Sequence, residues 1–151
     1  MGEVLFYHLT RSPVEAVLEL ILPRALAQGW RVAVRGRDRK RLEWLDERLW
    51  LGPEEGFLPH GLAGGPHDAR QPVLLTTETQ APNHPQGLAV IDGAAVGPDE
   101  AAALERIWVL FDGADAAAVE AARALYKAFR AAGVPPQYWS EAGGRWQRQA
   151  G

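Results

Sequence analysis

The chain has 151 residues, 47% apolar and 23% charged, with sixteen Lys and Arg against nineteen Asp and Glu for a formal net charge of -3. At this length roughly two thirds of the unfolded surface is buried on folding, so one domain with a real core is expected and disorder is excluded as the default. The slight acidic excess excludes a global cationic field for phosphate backbones, and the absence of cysteine excludes disulfides and thiolate metal sites.

The opening "MGEVLFYHLT" has no basic n-region and carries Phe6 where a myristoylation motif wants Ser or Thr, so it reads as neither a signal peptide nor a lipidation site. No apolar stretch approaches the roughly 20 residues that span a bilayer. A cytoplasmic protein with no membrane contact is expected.

In chain order, "VLFYHL" (4 to 9) reads as a buried strand. Ser12, Pro13 and Glu15 then form a capping box with proline at the first helical position. Val14, Val17, Leu18, Ile21, Leu22 and Ala25 follow at helical spacing, Pro23 is expected to kink the helix, and Gly29 closes it. "RVAVR" (31 to 35) is a second strand, and Asp38 caps a second helix with Leu42, Leu45 and Leu49 on one face. On that wheel Trp44 points away from the leucines and Trp50 sits at their flank.

"PVLLTT" (72 to 77), "LAVID" (88 to 92) and "RIWVLF" (106 to 111) are further strands, "DAAAVEAARALYKAFRAAG" (115 to 133) is the strongest helix, and "QYW" (137 to 139) is a short last strand. Residues 141 to 151 read as a polar tail, and the Gly-, Pro- and His-rich loops 61 to 71 and 79 to 87 as irregular and mobile. This alternation argues for a single α/β domain over 1–151: a three-layer open sheet of mostly parallel strands with helices on both faces.

A Rossmann-like sheet of this kind invites a nucleotide, which sits on a glycine-rich first strand-to-helix turn. Here that turn is "YHLTRSPVE", without glycine, and no G-x-x-x-x-G-K-[ST] occurs. His60 and His67, seven apart with Asp68 beside the second, lack the close helical spacing of a metal site and read as loop or surface histidines; His8 reads as a hydrogen-bonded strand residue. Ser12 and Ser140 are the two serines and neither lies in a G-x-S-x-G elbow, so nucleophilic hydrolysis is unsupported.

What remains is surface. On helix 115 to 133, Arg123, Lys127 and Arg130 lie within about 60° of one another, with Tyr126 and Val119 adjoining them. Ala118, Ala121, Leu125, Ala128, Phe129 and Ala132 form the opposite, packing face, and Glu120 falls off the cationic stripe. Such a stripe suits an acidic peptide with an apolar end, guanidinium groups taking its carboxylates. In "DERLWLGPEEGFLPHG" (46 to 61), Trp50, Leu51, Phe57, Leu58 and Pro59 fit either core or an aromatic-rich contact site.

Taken together, "FYHL" (6 to 9), "GWRVAVR" (29 to 35), "LDERLW" (45 to 50) with "GFLPHG" (56 to 61), "QPVLL" (71 to 75) and "ARALYKAFRAAG" (122 to 133) resemble the chi subunit of bacterial DNA polymerase III holoenzyme, a clamp-loader accessory protein. The resemblance runs over about residues 4 to 148. It implies a non-enzymatic bridge without cofactor, metal or direct sequence-specific nucleic-acid binding. Such a bridge docks on the psi subunit, or an equivalent clamp-loader partner, and grips the acidic C-terminal tail of single-stranded-DNA-binding protein.

Carried over by position, tail binding falls on Arg123, Tyr126 and Lys127, with Val119 and Arg130 beside them, and the psi-facing surface on Trp50 and Phe57 with Leu58, Pro59 and His60. Val119 stands where some members carry a lysine, a departure that weakens the tail site. The competing reading is a small nucleotide-binding enzyme or regulator using the C-terminal edge of the sheet.

Overall fold

The computed structural model describes residues 2–51, 58–142 and 145–150. In chain order its elements are β1 (Glu3–Leu9), α1 (Val14–Ala27), β2 (Val32–Arg35), α2 (Arg39–Trp50), β3 (Gly61–Leu62), β4 (Val73–Thr76), β5 (Gly87–Val90), β6 (Arg106–Asp112), α3 (Ala116–Ala131), β7 (Pro136–Ala142) and β8 (Arg145–Ala150). Short 3-10 turns occupy Asp68–Arg70 and Pro98–Ala103. Among the described residues eight strands form one sheet in the order β3-β4-β2-β5-β6-β1-β7-β8. Every pairing is parallel except that of β7 with β8. The expected α/β class and mostly parallel sheet are therefore present.

Period-two alternation in β1 sorts the core into two layers. Leu5 and Leu9 face one cluster with Leu18, Leu22, Leu42 and Leu45, under α1 and α2. Val4 and Phe6 face the other, with Ala122 and Phe129 of α3. Four of those leucines are fully buried, and each such burial contributes about 1.5–3 kcal/mol. α2 packs near β3 and β4, whereas α3 packs on β6 and β7. The two helices thus stand on opposite faces and toward opposite ends of the sheet.

Helix ends follow local chemistry. The Asp38 side chain accepts from the Lys40 N–H at 3.0 Å, and Asp115 accepts from Ala117 and Ala118 at 3.0 and 3.3 Å, as N-cap residues do. α1 ends with Gly29 at φ +83, and Trp30 donates back to the Ala25 carbonyl at 3.1 Å, the six-to-one closure that glycine permits. α1 runs one turn past Pro23. Its start departs from expectation: Pro13 is the N-cap residue, no side chain caps the end, and Ser12 turns its hydroxyl elsewhere.

Two strands were not foreseen. β3 is a two-residue pairing inside a loop read as irregular. β8 lies in the stretch read as a polar tail, and it pairs antiparallel with β7. Trp146 anchors it, its ring 5.0 Å from that of Tyr7 and steeply tilted, the one aromatic side chain in a mostly polar strand that pairs with β7. Burial raises the Tyr7 phenol above its ordinary range, partly opposed by the charges of Arg106 and Arg24.

At the end of β2, Arg35 is buried and forks onto Glu100, with nitrogen–oxygen distances of 2.7 and 3.1 Å. The same guanidinium donates to the Thr79 and Ala95 carbonyls at 2.8 and 2.9 Å. One side chain thereby fixes the loops after β4 and β5 and the 3-10 turn before β6.

Candidate functional site

The first strand-to-helix turn, where a sheet of this layout would hold phosphate, is filled from within. One oxygen of Glu141, on β7, accepts from the backbone N–H groups of Thr10, Arg11 and Ser12 at 3.1, 3.1 and 3.0 Å. The other accepts the Ser12 hydroxyl at 2.7 Å. Burial works against the charged carboxylate, but the donors of Ser12, Arg11 and Thr10 together outweigh it and hold the group below its ordinary range. The sequence argument against phosphate was the missing glycine; the structure supplies a different reason, because the amides are present and already engaged.

A cleft of about 900 Å³ opens nearby at the C-terminal edge of the sheet, between Val90, Val96 and Val109 on one side and Ala118, Ala121 and Leu125 of α3 on the other. Among the described residues no cluster of three or more His, Cys, Asp or Glu is placed to hold a metal ion.

The cationic stripe stands on the outer side of α3. Arg123, Lys127 and Arg130 are all exposed, and Tyr126 and Val119 are half-buried beside them. The Tyr126 ring leans on Phe6 at 5.5 Å and on Tyr138 at 6.2 Å, which places it on the side of α3 that faces β7. Tyr138 lies beside it, half-buried, and was not singled out in the sequence. The β1–β7 register sets it opposite Phe6, and its hydroxyl lies 2.7 Å from Nδ1 of His8, the hydrogen-bonded strand histidine expected. Burial raises the Tyr138 phenol, and the nearby charge of Arg123 pulls the other way.

Two details of the helical wheel are corrected. Ala121, Ala128 and Ala132 are exposed rather than packed, and the buried line runs through Ala122 and Phe129. The rings of Phe129 and Tyr126, both drawn to Phe6, set that rotation. Glu120 is not off the stripe: it pairs with Arg123 at 3.6 Å, one helical turn away, both side chains being well exposed. An exposed pair of this kind is worth about 0.2–1 kcal/mol, too little to withdraw Arg123 from a stronger partner. Among the described residues Lys127 and Arg130 have no ion-pair partner.

The end of α2 divides the second set of predicted residues. Trp50 is 50% exposed and Leu51 78%, with Trp44 also exposed under the guanidinium groups of Arg41 and Arg48. Pro59 is half-buried. Leu58 and His60 are not surface residues, being 7% and 4% exposed; Leu58 joins the cluster under α1 and α2, which corrects the interface reading of both, and His60 is a buried loop histidine rather than a surface one. Phe57 lies outside the described residues. The His60 ring lies beneath Trp50, centroids 4.2 Å apart and 31° from parallel.

Comparison with known proteins gives one family. The model described as DNA polymerase III chi subunit, HolC, matches residues 1–137. The probable DNA polymerase III subunit chi of Rickettsia prowazekii (strain Madrid E) is 29% identical over 92 residues, 60% of this chain and 55% of that relative. The DNA polymerase III subunit chi of Escherichia coli (strain K12) is 42% identical over 53 residues, 35% of this chain and 36% of that relative. The alignments thus span about half, or less, of the curated relatives, and β8 lies outside the matched range.

Proposed function

The chain belongs to the DNA polymerase III chi subunit family, and from that premise we propose that it is a non-catalytic replication adaptor with two docking surfaces, working in the cytoplasm without a cofactor. One surface, the basic face of α3 beside Tyr126 and Tyr138, takes the acidic C-terminal tail of single-stranded-DNA-binding protein. The other, the Trp50 end of α2, takes the psi subunit or an equivalent clamp-loader partner.

The observation that carries this reading is the one-sided array on α3. Arg123, Lys127 and Arg130 are exposed, and the half-buried rings of Tyr126 and Tyr138 lie alongside. Carboxylates of an incoming peptide meet guanidinium and ammonium groups, while an apolar terminal side chain lies against Val119 and the two tyrosines. Because the charges are solvent-exposed, each pair adds about 0.2–1 kcal/mol and is screened by salt. Binding is therefore of micromolar strength and readily remade.

The competing nucleotide reading draws on the cleft at the C-terminal edge of the sheet. Against it stands Glu141, which occupies the backbone amides a phosphate would need. Titration with an acidic peptide ending in phenylalanine at low salt tests the adaptor reading. The wild type binds and Arg123→Ala binds about fivefold more weakly at low salt, a loss of about 1 kcal/mol, whereas ATP and NAD leave the melting temperature unchanged. No peptide binding together with nucleotide stabilisation would reverse the assignment.

A further inference from the structure

We infer that His60 is a buried imidazolium with both N–H groups engaged, and that it positions the indole of Trp50 at the end of α2; the positioning role rests on the partner surface proposed above. The ring Nδ1 lies 2.7 Å from the Leu58 carbonyl oxygen. Nε2 lies 3.1 Å from the Asp46 carbonyl oxygen and 3.2 Å from Asp46 Oδ1. The two carbonyls and an ionised carboxylate accept hydrogen bonds and have none to give. A neutral imidazole has one N–H and one lone pair. In either neutral tautomer, one nitrogen would turn its lone pair toward an acceptor oxygen at hydrogen-bond distance. The doubly protonated ring supplies a donor on both sides.

Two further observations agree. Asp46 Oδ1 is buried without an aligned hydrogen bond, although it stands 3.2 Å from the ring. A buried carboxylate oxygen in that position requires a neighbouring positive charge. Over the ring's face, the Trp50 centroid lies at 4.2 Å with the planes tilted by 31°, within the range at which an indole attracts a cation. Among the described residues, the charged group paired with the ring is Asp46 of α2. The sequence motif around "LPH" thus reads as support for the aromatic above it rather than as part of the contact itself.

Long-range ¹H–¹⁵N spectra of the imidazole in the full chain at neutral pH test the charge state. Both nitrogens are expected to give the protonated signature, and Asp46→Asn is expected to convert the ring to a neutral tautomer while the protein still melts cooperatively. A wild-type ring with one unprotonated nitrogen would overturn the assignment. The Trp50 indole N–H resonance tests positioning: it should move in Asp46→Asn and in His60→Gln, whose side chain restores one donor but no charge. An unmoved indole signal in both variants would remove the positioning role. If the imidazolium signature and the indole shift are both found while Trp50→Ala retains its partner in pull-down, the His60 assignment is supported and the partner surface is what fails.

Discussion

Ser12 donates its hydroxyl to Glu141 at 2.7 Å, a contact that ties the first turn of the fold to the far end of β7 and takes the serine away from the capping role its position suggests. Glu141→Gln keeps the shape but loses the charge behind four hydrogen bonds, and Glu141→Ala loses them all. Hydrogen bonds to a charged group contribute about 1.5–3 kcal/mol, so a destabilisation of about 1–3 kcal/mol is expected for the alanine variant by denaturant unfolding, and less for glutamine.

The same contact has a pH signature. The Glu141 carboxyl is lowered in the fold, so the unfolded chain binds its proton more tightly. Its stabilising contribution is complete above the ordinary glutamate range, near about 4.3, and is lost as pH falls through the folded value. The stability gap between wild type and Glu141→Gln should be constant around neutrality and narrow on acidification below that range. A gap that widens there would contradict the assignment.

Leu58 and Trp50 should separate cleanly, because one is buried and the other half-exposed. Leu58→Ala leaves a cavity and should cost about 2–5 kcal/mol. Trp50→Ala, at a half-exposed position, should cost less than Leu58→Ala, yet abolish partner capture in pull-down. Equal losses of stability would return Trp50 to the core.

Arg35 offers a test of the buried ion pair. Arg35→Ala strands Glu100 and the Thr79 and Ala95 carbonyls, and removing one partner of a buried pair costs about 3–5 kcal/mol. Thermal unfolding should show this loss in full, while peptide binding to α3 measured below the melting transition should be unaffected.

Peptide affinity should fall steadily with added salt, since the stripe is exposed. Lys127→Ala and Arg130→Ala should each reduce both the affinity, by a few-fold, and the steepness of that fall. Tyr126→Ala should weaken binding without changing the salt dependence, because its contribution is apolar. Calorimetric titrations at several salt concentrations would separate the two kinds of loss.

The regular elements were legible because their signals are local. Leucines at 42, 45 and 49 report their burial through helical periodicity, and β1 reports its own through a nearly unbroken apolar run. What escaped depends on residues far apart in the chain. Glu141 meets Ser12 across 129 positions and Arg35 meets Glu100 across 65, and no periodicity encodes either. β8 escaped because a single tryptophan anchors it, and Tyr138 because its place beside Tyr126 depends on strand register. The Glu120–Arg123 pair was legible in principle, since residues three apart on a helix are neighbours.

The strand order has a thermodynamic consequence. With α2 over β3 and β4 on one face and α3 over β6 and β7 on the other, ligands at the two surfaces share no side chain and are separated by the rigid sheet. Among the described residues no side chain bridges the two proposed surfaces, so without an element on which a coupling free energy could act, occupation of one should leave the dissociation constant of the other unaltered. On the adaptor reading proposed above, the molecule would act as an inert tether whose contribution to an assembly is the raised local concentration of one guest near the other.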